Sequence, residues 1–427
     1  MRRFTFSDPD FEAVFGAFAD ERRDTPEDVD AIVREVLTAV RAEGLPAVLR
    51  FAREFDRAEL DEATIRVSED EIEEGAARCP QDVKDAIAFA ARRIRAYHER
   101  QRPADARFID EAGVELGWRW TPLEAVGIYV PGGRAAYPST VLMNAVPAAA
   151  AGVERIAMVT PPGRLQPAVL AAAKAAGVSE IWRVGGAQAV AALAYGAGPI
   201  RPVDKIVGPG NAFVTAAKRR VYGTVGIDAL AGPSEIVVVA DAANDPAWIA
   251  ADLLSQAEHD PAAQAILITD SSDFAAAVEA EVAAQLETLA TGEAAAASWR
   301  DHGAMIVAPL VEAPRLVDRL APEHVEFAVE APSVLADQVR HAGAIFLGRH
   351  APEAIGDYVA GSNHVLPTSR AARFSSGLSL YDFIKRTSII NCDEAAFRTL
   401  GPPTVALAEA EGLPAHARSA AIRLGRN

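Results

Sequence analysis

From about Glu124 onward the chain alternates short β-branched runs with Ala-rich segments of helix length, and this alternation constrains the fold more than any other feature. The first series of runs covers 126–130, 156–159, 181–184 and 205–207. The second covers 236–239, 265–268, 305–307, 325–327 and 344–347. Parallel neighbours need a long crossover, so strands spaced by helices imply βαβ units and largely parallel sheets. Two series imply two Rossmann-like sheets in an α/β chain. Before them, Ile32, Val33, Val36, Leu37 and Val40, then Ile87 and Ile94, recur at helical spacing and predict helices with charged outer faces. Beyond about Arg370 the strand signals fade. A helical tail is expected from Asp393 to Arg423, broken at Gly412-Leu-Pro414.

Composition removes several function classes. The 427 residues carry a net charge of −17, which leaves no basic stripe for a nucleic-acid backbone. Cys79 and Cys392 are too few for a disulfide framework or a thiolate metal cage. The most apolar stretch, 141–159, is interrupted by Asn144, Glu154 and Arg155, so no membrane span is expected. The start lacks the apolar run of a signal peptide, and a soluble, cytoplasmic protein is the expectation.

Several strands run into glycine turns: Pro131-Gly132-Gly133, Gly185-Gly186-Ala187-Gln188 and Gly208-Pro209-Gly210-Asn211. Glycine lets the backbone approach a ligand, and the helix that follows offers free amides to an anion. The same glycines also serve simple tight turns, and no GxGxxG fingerprint occurs, so these turns alone name no nucleotide.

Four polar groupings are candidates for chemistry. Gln256 and His259 share a face near the end of a helix that Asp245-Pro246 would start, and could offer oxygen and nitrogen to a metal. Glu323-His324 follows Ala321-Pro322 and enters a strand, an acid and an imidazole placed for proton transfer. Asp357-Tyr358 and the Gly361-Ser-Asn-His364 stretch form a polar loop, and Glu411 and His416 flank the break in the tail. Taken singly, the Gln256/His259, Glu323/His324 and Glu411/His416 groupings read more readily as solvated helix ends and surface pairs. The spacing from 259 to 357 to 416 matches no compact metal motif.

The segments together carry more. Val126-Gly-Ile-Tyr-Val-Pro-Gly-Gly133, Val184-Gly-Gly-Ala-Gln-Ala189 and Lys205-Ile-Val-Gly-Pro-Gly-Asn-Ala-Phe-Val214 come first. Ala231-Gly-Pro-Ser-Glu235, Leu253-Leu-Ser-Gln-Ala-Glu-His259, Ala321-Pro-Glu-His324 and Gly356-Asp-Tyr358 follow, then Asn363-His-Val-Leu-Pro367 and Glu411-Gly-Leu-Pro-Ala-His416. In this order they resemble the histidinol dehydrogenase family over essentially the whole chain. The resemblance implies oxidation of L-histidinol to L-histidine through a bound aldehyde, the last step of histidine biosynthesis, with two NAD⁺ reduced. It implies one zinc ion per subunit held by Gln256, His259, Asp357 and His416, the last from the other subunit of an intertwined homodimer. Glu323 and His324 would be the acid–base pair, and Tyr129, Gln188 and Asn211 the cofactor contacts. Ser234, His364 and Glu411 would lie on the substrate side, with Gln256, His259, His324, Asp357 and His416 also touching substrate.

The implied architecture is two incomplete Rossmann-like domains with a helical N-terminal segment and a helical C-terminal tail. Residues 1–23 would be an arm, and 24–128 with 236–371 a first, discontinuous domain. Residues 129–235 would be a second, nucleotide-binding domain, and 372–427 a tail reaching the partner subunit. Three other readings use the same residues: a paralogue acting on another polar alcohol such as a sulfonated diol, a zinc hydrolase, and a non-catalytic binding protein. Glu411, suited to an ammonium group, disfavours the sulfonated diol.

Overall fold

The computed structural model describes residues 1–21, 27–132, 137–163, 165–230 and 232–425. Gly133 of the first glycine turn, Ala231, and the end of the arm at 22–23 lie outside them.

Both strand series form parallel sheets. In the five-stranded sheet the order is Glu180–Arg183, Arg155–Thr160, Ala125–Tyr129, Lys205–Val207, Gly226–Ile227. In chain order this is third, second, first, fourth, fifth, the Rossmann arrangement without its sixth strand. The six-stranded sheet repeats that order with Ala304–Val307, Gln264–Thr269, Glu235–Ala240, His324–Ala328 and Ala344–Leu347. Arg2–Thr5 pairs with the outer edge of Ala304–Val307 as a sixth strand. Parallel sheets covered on both faces read as unbroken apolar runs, and every residue of Glu235–Ala240 and His324–Ala328 is buried.

Three expectations change. The N-terminal arm is not wholly helical, because its first residues complete the six-stranded sheet and only Phe11–Ala19 is helix. The helices between Glu27 and Glu99, read from the sequence with the six-stranded sheet, pack on the five-stranded one. Val33, Val36, Val48 and Phe51 join Ala157 and Trp182 on one face, while Ile87 and Ile94 join Ile128 and Met158 on the other. The region beyond Arg370 holds a strand, Ile384–Asn391, in a three-stranded antiparallel sheet with Glu115–Pro122 and Ala106–Ile109. Its residues are mostly exposed and lack an apolar run, so periodicity gave no signal. The tail helices are Glu394–Ala410 and Pro414–Arg423, with Asp393 capping the first through the Ala396 amide.

The strand His324–Ala328 divides its side chains by parity. Val325 and Phe327 enter one core, while His324, Glu326 and Ala328 face the helix Pro246–Ala257. Phe327 is fully buried directly behind the polar face. Phe327→Ala should cost about 3–5 kcal/mol, read from chemical denaturation midpoints. A loss below about 1 kcal/mol would mean that this core does not support the strand.

Candidate active site

The amino ends of the two central strands of the six-stranded sheet carry the polar cluster. Ala321 holds a left-handed backbone (φ 48°) and turns the chain through Pro322 into Glu323 and His324. The neighbouring segment closes on this turn at Gly343, whose amide donates to the Pro322 carbonyl at 3.0 Å. A Cβ at 343 would stand 2.6 Å from the Glu323 carbonyl oxygen, so the approach requires glycine.

Glu323 and His324 are both buried and both bonded to the backbone of Glu235, on the adjacent strand. The Glu235 amide donates to Glu323 Oε2 at 3.1 Å, and His324 Nδ1 lies 3.1 Å from the Glu235 carbonyl oxygen. A carbonyl only accepts, so Nδ1 carries the hydrogen and Nε2 is left as the acceptor. His324 Nε2 is buried without a hydrogen-bond partner among the described residues. Burial pulls its imidazole down to about 3, which keeps the ring neutral. Burial pushes the Glu323 carboxyl well above the usual range, and the Ser234 hydroxyl also bonds to that carboxyl.

The helix Pro246–Ala257 begins with Asp245 accepting from the Ala247 amide and runs back toward the strands' amino ends. Gln256 lies on its buried face, and His259 sits just past its end, exposed. Gln256 Nε2 is 3.0 Å from His259 Nδ1, while Gln256 Oε1 is buried without a partner. The short helix Glu353–Tyr358 brings Asp357 within 3.9 Å of His324 Nε2 and 3.8 Å of His364 Nδ1. Burial raises Asp357 to about 7 and lowers His364 to about 4.

Glu353 was not singled out in the sequence. It is buried, its Oε1 lies 3.3 Å from His324 Nδ1, and neither carboxyl oxygen has a hydrogen-bond partner among the described residues. Ligand atoms of His324, Glu353 and Asp357 all fall within 4.8 Å of one another. The available signal was its place one helical turn before Asp357. Glu326 and Asp252 extend the cluster along the same strand face and helix.

The other expected residues lie elsewhere. The buried Tyr129 hydroxyl, pushed up to about 12 by burial, accepts from the Gly186 amide at 3.0 Å. Gln188 Nε2 donates to Asp56 at 3.1 Å. Asn211 is exposed and caps the helix Ala212–Val221 by accepting from the Phe213 and Val214 amides. These three stand around the carboxyl ends of the five-stranded sheet, the crevice where such sheets hold ligands. Glu411, just past the end of the first tail helix, and His416, on the second, are exposed, and among the described residues of one chain neither pairs with the cluster.

A buried acid and imidazole at the amino ends of one of two Rossmann-type parallel sheets define an α/β enzyme. The comparisons specify which. A sequence profile for histidinol dehydrogenase matches residues 19–424. The histidinol dehydrogenase of Caulobacter vibrioides is 77% identical over 424 residues, 99% of each chain, and that of Mesorhizobium japonicum is 59% identical over 421 residues, 98% of each. The crystal structure of histidinol dehydrogenase from Elizabethkingia anophelis has a TM-score of 0.93 at 35% identity, covering 100% of this chain and 98% of that one. The chain belongs to the histidinol dehydrogenase family and is a dehydrogenase, as its resemblance implied.

The buried carboxyls give a pH test. Burial, and then the neighbouring Asp252 carboxyl, lift Glu326 to about 9. An acid raised above its unfolded value of about 4.3 stabilises the fold below that value, and this contribution is lost as pH rises through the folded pKa. Glu326→Gln keeps the shape without the charge. Its Tm should match wild type near pH 5 and exceed it by at least ~2 °C at pH 9. A constant offset across this range in thermal unfolding would mean that Glu326 does not titrate there.

Proposed function

We propose that this chain oxidises L-histidinol to L-histidine in two successive steps, as a zinc- and NAD⁺-dependent cytoplasmic homodimer in histidine biosynthesis. The observation that carries the reading is the neutral His324, whose Nε2 is without a hydrogen-bond partner among the described residues, 3.9 Å from Asp357 in a chain of this family. No described helix is long and apolar enough to cross a membrane.

The residues fit both groups. Among the described residues Gln256 Oε1 is a buried oxygen without a partner, Nε2 of the same side chain lies 3.0 Å from His259 Nδ1, and Asp357 lies 3.9 Å from His324 Nε2. Two oxygens and imidazole nitrogen suit borderline Zn²⁺. We assign Gln256, His259 and Asp357 as ligands from one subunit and the partner's His416 as the fourth. For the cofactor, the turn at Gly208 lies so close to Tyr129 that a Cβ would stand 2.3 Å from its carbonyl oxygen, so only glycine lets the turn cross the strand end near which Tyr129, Gln188 and Asn211 stand. The five-stranded lobe would hold the dinucleotide, and the six-stranded lobe the metal and substrate.

When bound, zinc would make a neighbouring alcohol more acidic and NAD⁺ would accept hydride. His324 Nε2 takes the hydroxyl proton as the first hydride leaves. Glu323 removes a proton from the water that adds to the aldehyde, and its burial makes the ionised form a stronger base. Once the first proton it took has passed to solvent, His324 takes the hydrate's hydroxyl proton as the second hydride leaves, giving the carboxylate. Ser234 orients Glu323. His364 lies on the substrate side, and Glu411, reaching across the dimer, would meet the substrate's ammonium.

One measurement separates this from a hydrolase, a binding protein and a two-electron dehydrogenase. Two reduced cofactors should appear per histidinol consumed, with little free aldehyde. A ratio of one with aldehyde accumulating would sink the four-electron reading, and no reduced cofactor would leave hydrolysis or binding. Glu323→Gln should slow aldehyde oxidation by about 10²- to 10⁴-fold and alcohol oxidation much less. Equal losses in both half-reactions would contradict its role.

The placement of His416 has its own test. His259→Ala and His416→Ala chains, each inactive alone, should regain about a quarter of wild-type activity when co-expressed, because in a hybrid dimer one site keeps every native ligand. Confirmed hybrids without activity would place His416 outside the partner's site.

A further inference from the structure

Beside the proposed cofactor turn lies a buried ion pair with no part in the chemistry above. Lys218, on the helix Ala212–Val221, meets Asp228, just beyond the strand Gly226–Ile227, with side-chain exposures of 3% and 5%. Withdrawing two charges from water is costly, and such pairs are often replaced by apolar side chains without loss of stability. Stability is therefore a weak account of this one.

Its hydrogen bonds supply a better account. Asp228 Oδ2 accepts from the Gly208 amide at 2.7 Å, and the Lys218 ammonium donates to the Gly208 carbonyl at 3.0 Å. Gly208 has φ +113° and crosses the end of the neighbouring strand against the Tyr129 backbone. The pair thus holds both backbone polar groups of the residue where the turn must bend most sharply. Three residues later Asn211 caps the helix, so the conformation of Gly208 sets the direction of the turn 208–211 and of the helix's first amides.

We infer that Lys218 and Asp228 are positioning residues for NAD⁺, clamping Gly208 so that the turn 208–211 presents Asn211 and its amides to the dinucleotide. This rests on the reading of that turn as the cofactor site.

The test uses the full-length, zinc-loaded protein. The double variant Lys218→Met/Asp228→Leu removes both charges and keeps apolar bulk, so its Tm should fall only by roughly the few degrees that the two lost bonds to Gly208 cost. Its dissociation constant for NAD⁺, measured by isothermal titration calorimetry, should rise at least ~10-fold. The KM for histidinol and kcat at saturating NAD⁺ should change less than ~2-fold. A double variant that folds and binds NAD⁺ like wild type overturns the clamp. Asp228→Asn against Asp228→Ala gives an answer even where the double variant does not fold. Both lose the charge, but only Asn keeps an acceptor for the Gly208 amide, so it should bind NAD⁺ at least ~5-fold more tightly, and equal constants overturn the clamp. Asn211→Ala is the control on the underlying reading. Unchanged NAD⁺ binding there removes the turn from the cofactor site and the clamp with it. Weakened binding there beside an unaffected double variant refutes the clamp alone.

Discussion

The main chain of Glu235 is the anchor on which the site depends. Its amide and its carbonyl, on one residue, bind Glu323 and His324 respectively. Because Glu235–Ala240 and His324–Ala328 are adjacent, in-register parallel strands, the sheet itself fixes the spacing of acid and imidazole. A single carbonyl also decides which imidazole nitrogen accepts a proton. The Ser369 amide binds the Glu235 carboxyl at 3.2 Å, so this anchor is held from the side-chain end as well.

Around that anchor the chain concentrates acid groups that water would ordinarily ionise. Glu323, Glu353, Glu326 and Asp357 all have raised pKa values, with burial as the leading cause, while His324 and His364 are lowered by the same burial. Desolvation thus drives both kinds of group toward neutrality, and the cluster tolerates proximity because few of its members need carry charge at once. A divalent cation among them would reverse the balance for the carboxylates and favour their ionised forms.

Much of this was legible in the sequence, for identifiable reasons. The nine strand runs were readable because strands covered on both faces must be apolar throughout. Glu323 and His324 were readable as a pair because they are adjacent. The antiparallel sheet escaped notice because Ile384–Asn391 is an exposed ladder whose pairing with Glu115–Pro122 depends on contacts far away in sequence. The packing of helices 27–99 escaped notice because periodicity shows which face is apolar and not which sheet it covers. Glu353 had only its place one turn before Asp357 as a signal, and its proximity to His324 arises only when the strand Ala344–Leu347 lies beside the strand His324–Ala328. Lys218 and Asp228 are ten residues apart around a turn, and nothing in their spacing announces a buried pair.

The opposite ends of the two sheets that carry the candidate residues have an electrostatic corollary. At the carboxyl ends of the five-stranded sheet, helices such as Gly186–Tyr195 and Ala212–Val221 begin, so their positive dipole ends face that crevice. At the amino ends of the six-stranded sheet, the helix Pro246–Ala257 finishes, turning its negative end toward the cluster. One backbone pattern used in two orientations therefore makes one lobe receptive to anions and the other to cations. The phosphates of a dinucleotide and a metal ion, the groups proposed for the two places, would thereby be favoured at opposite ends by main-chain charge alone.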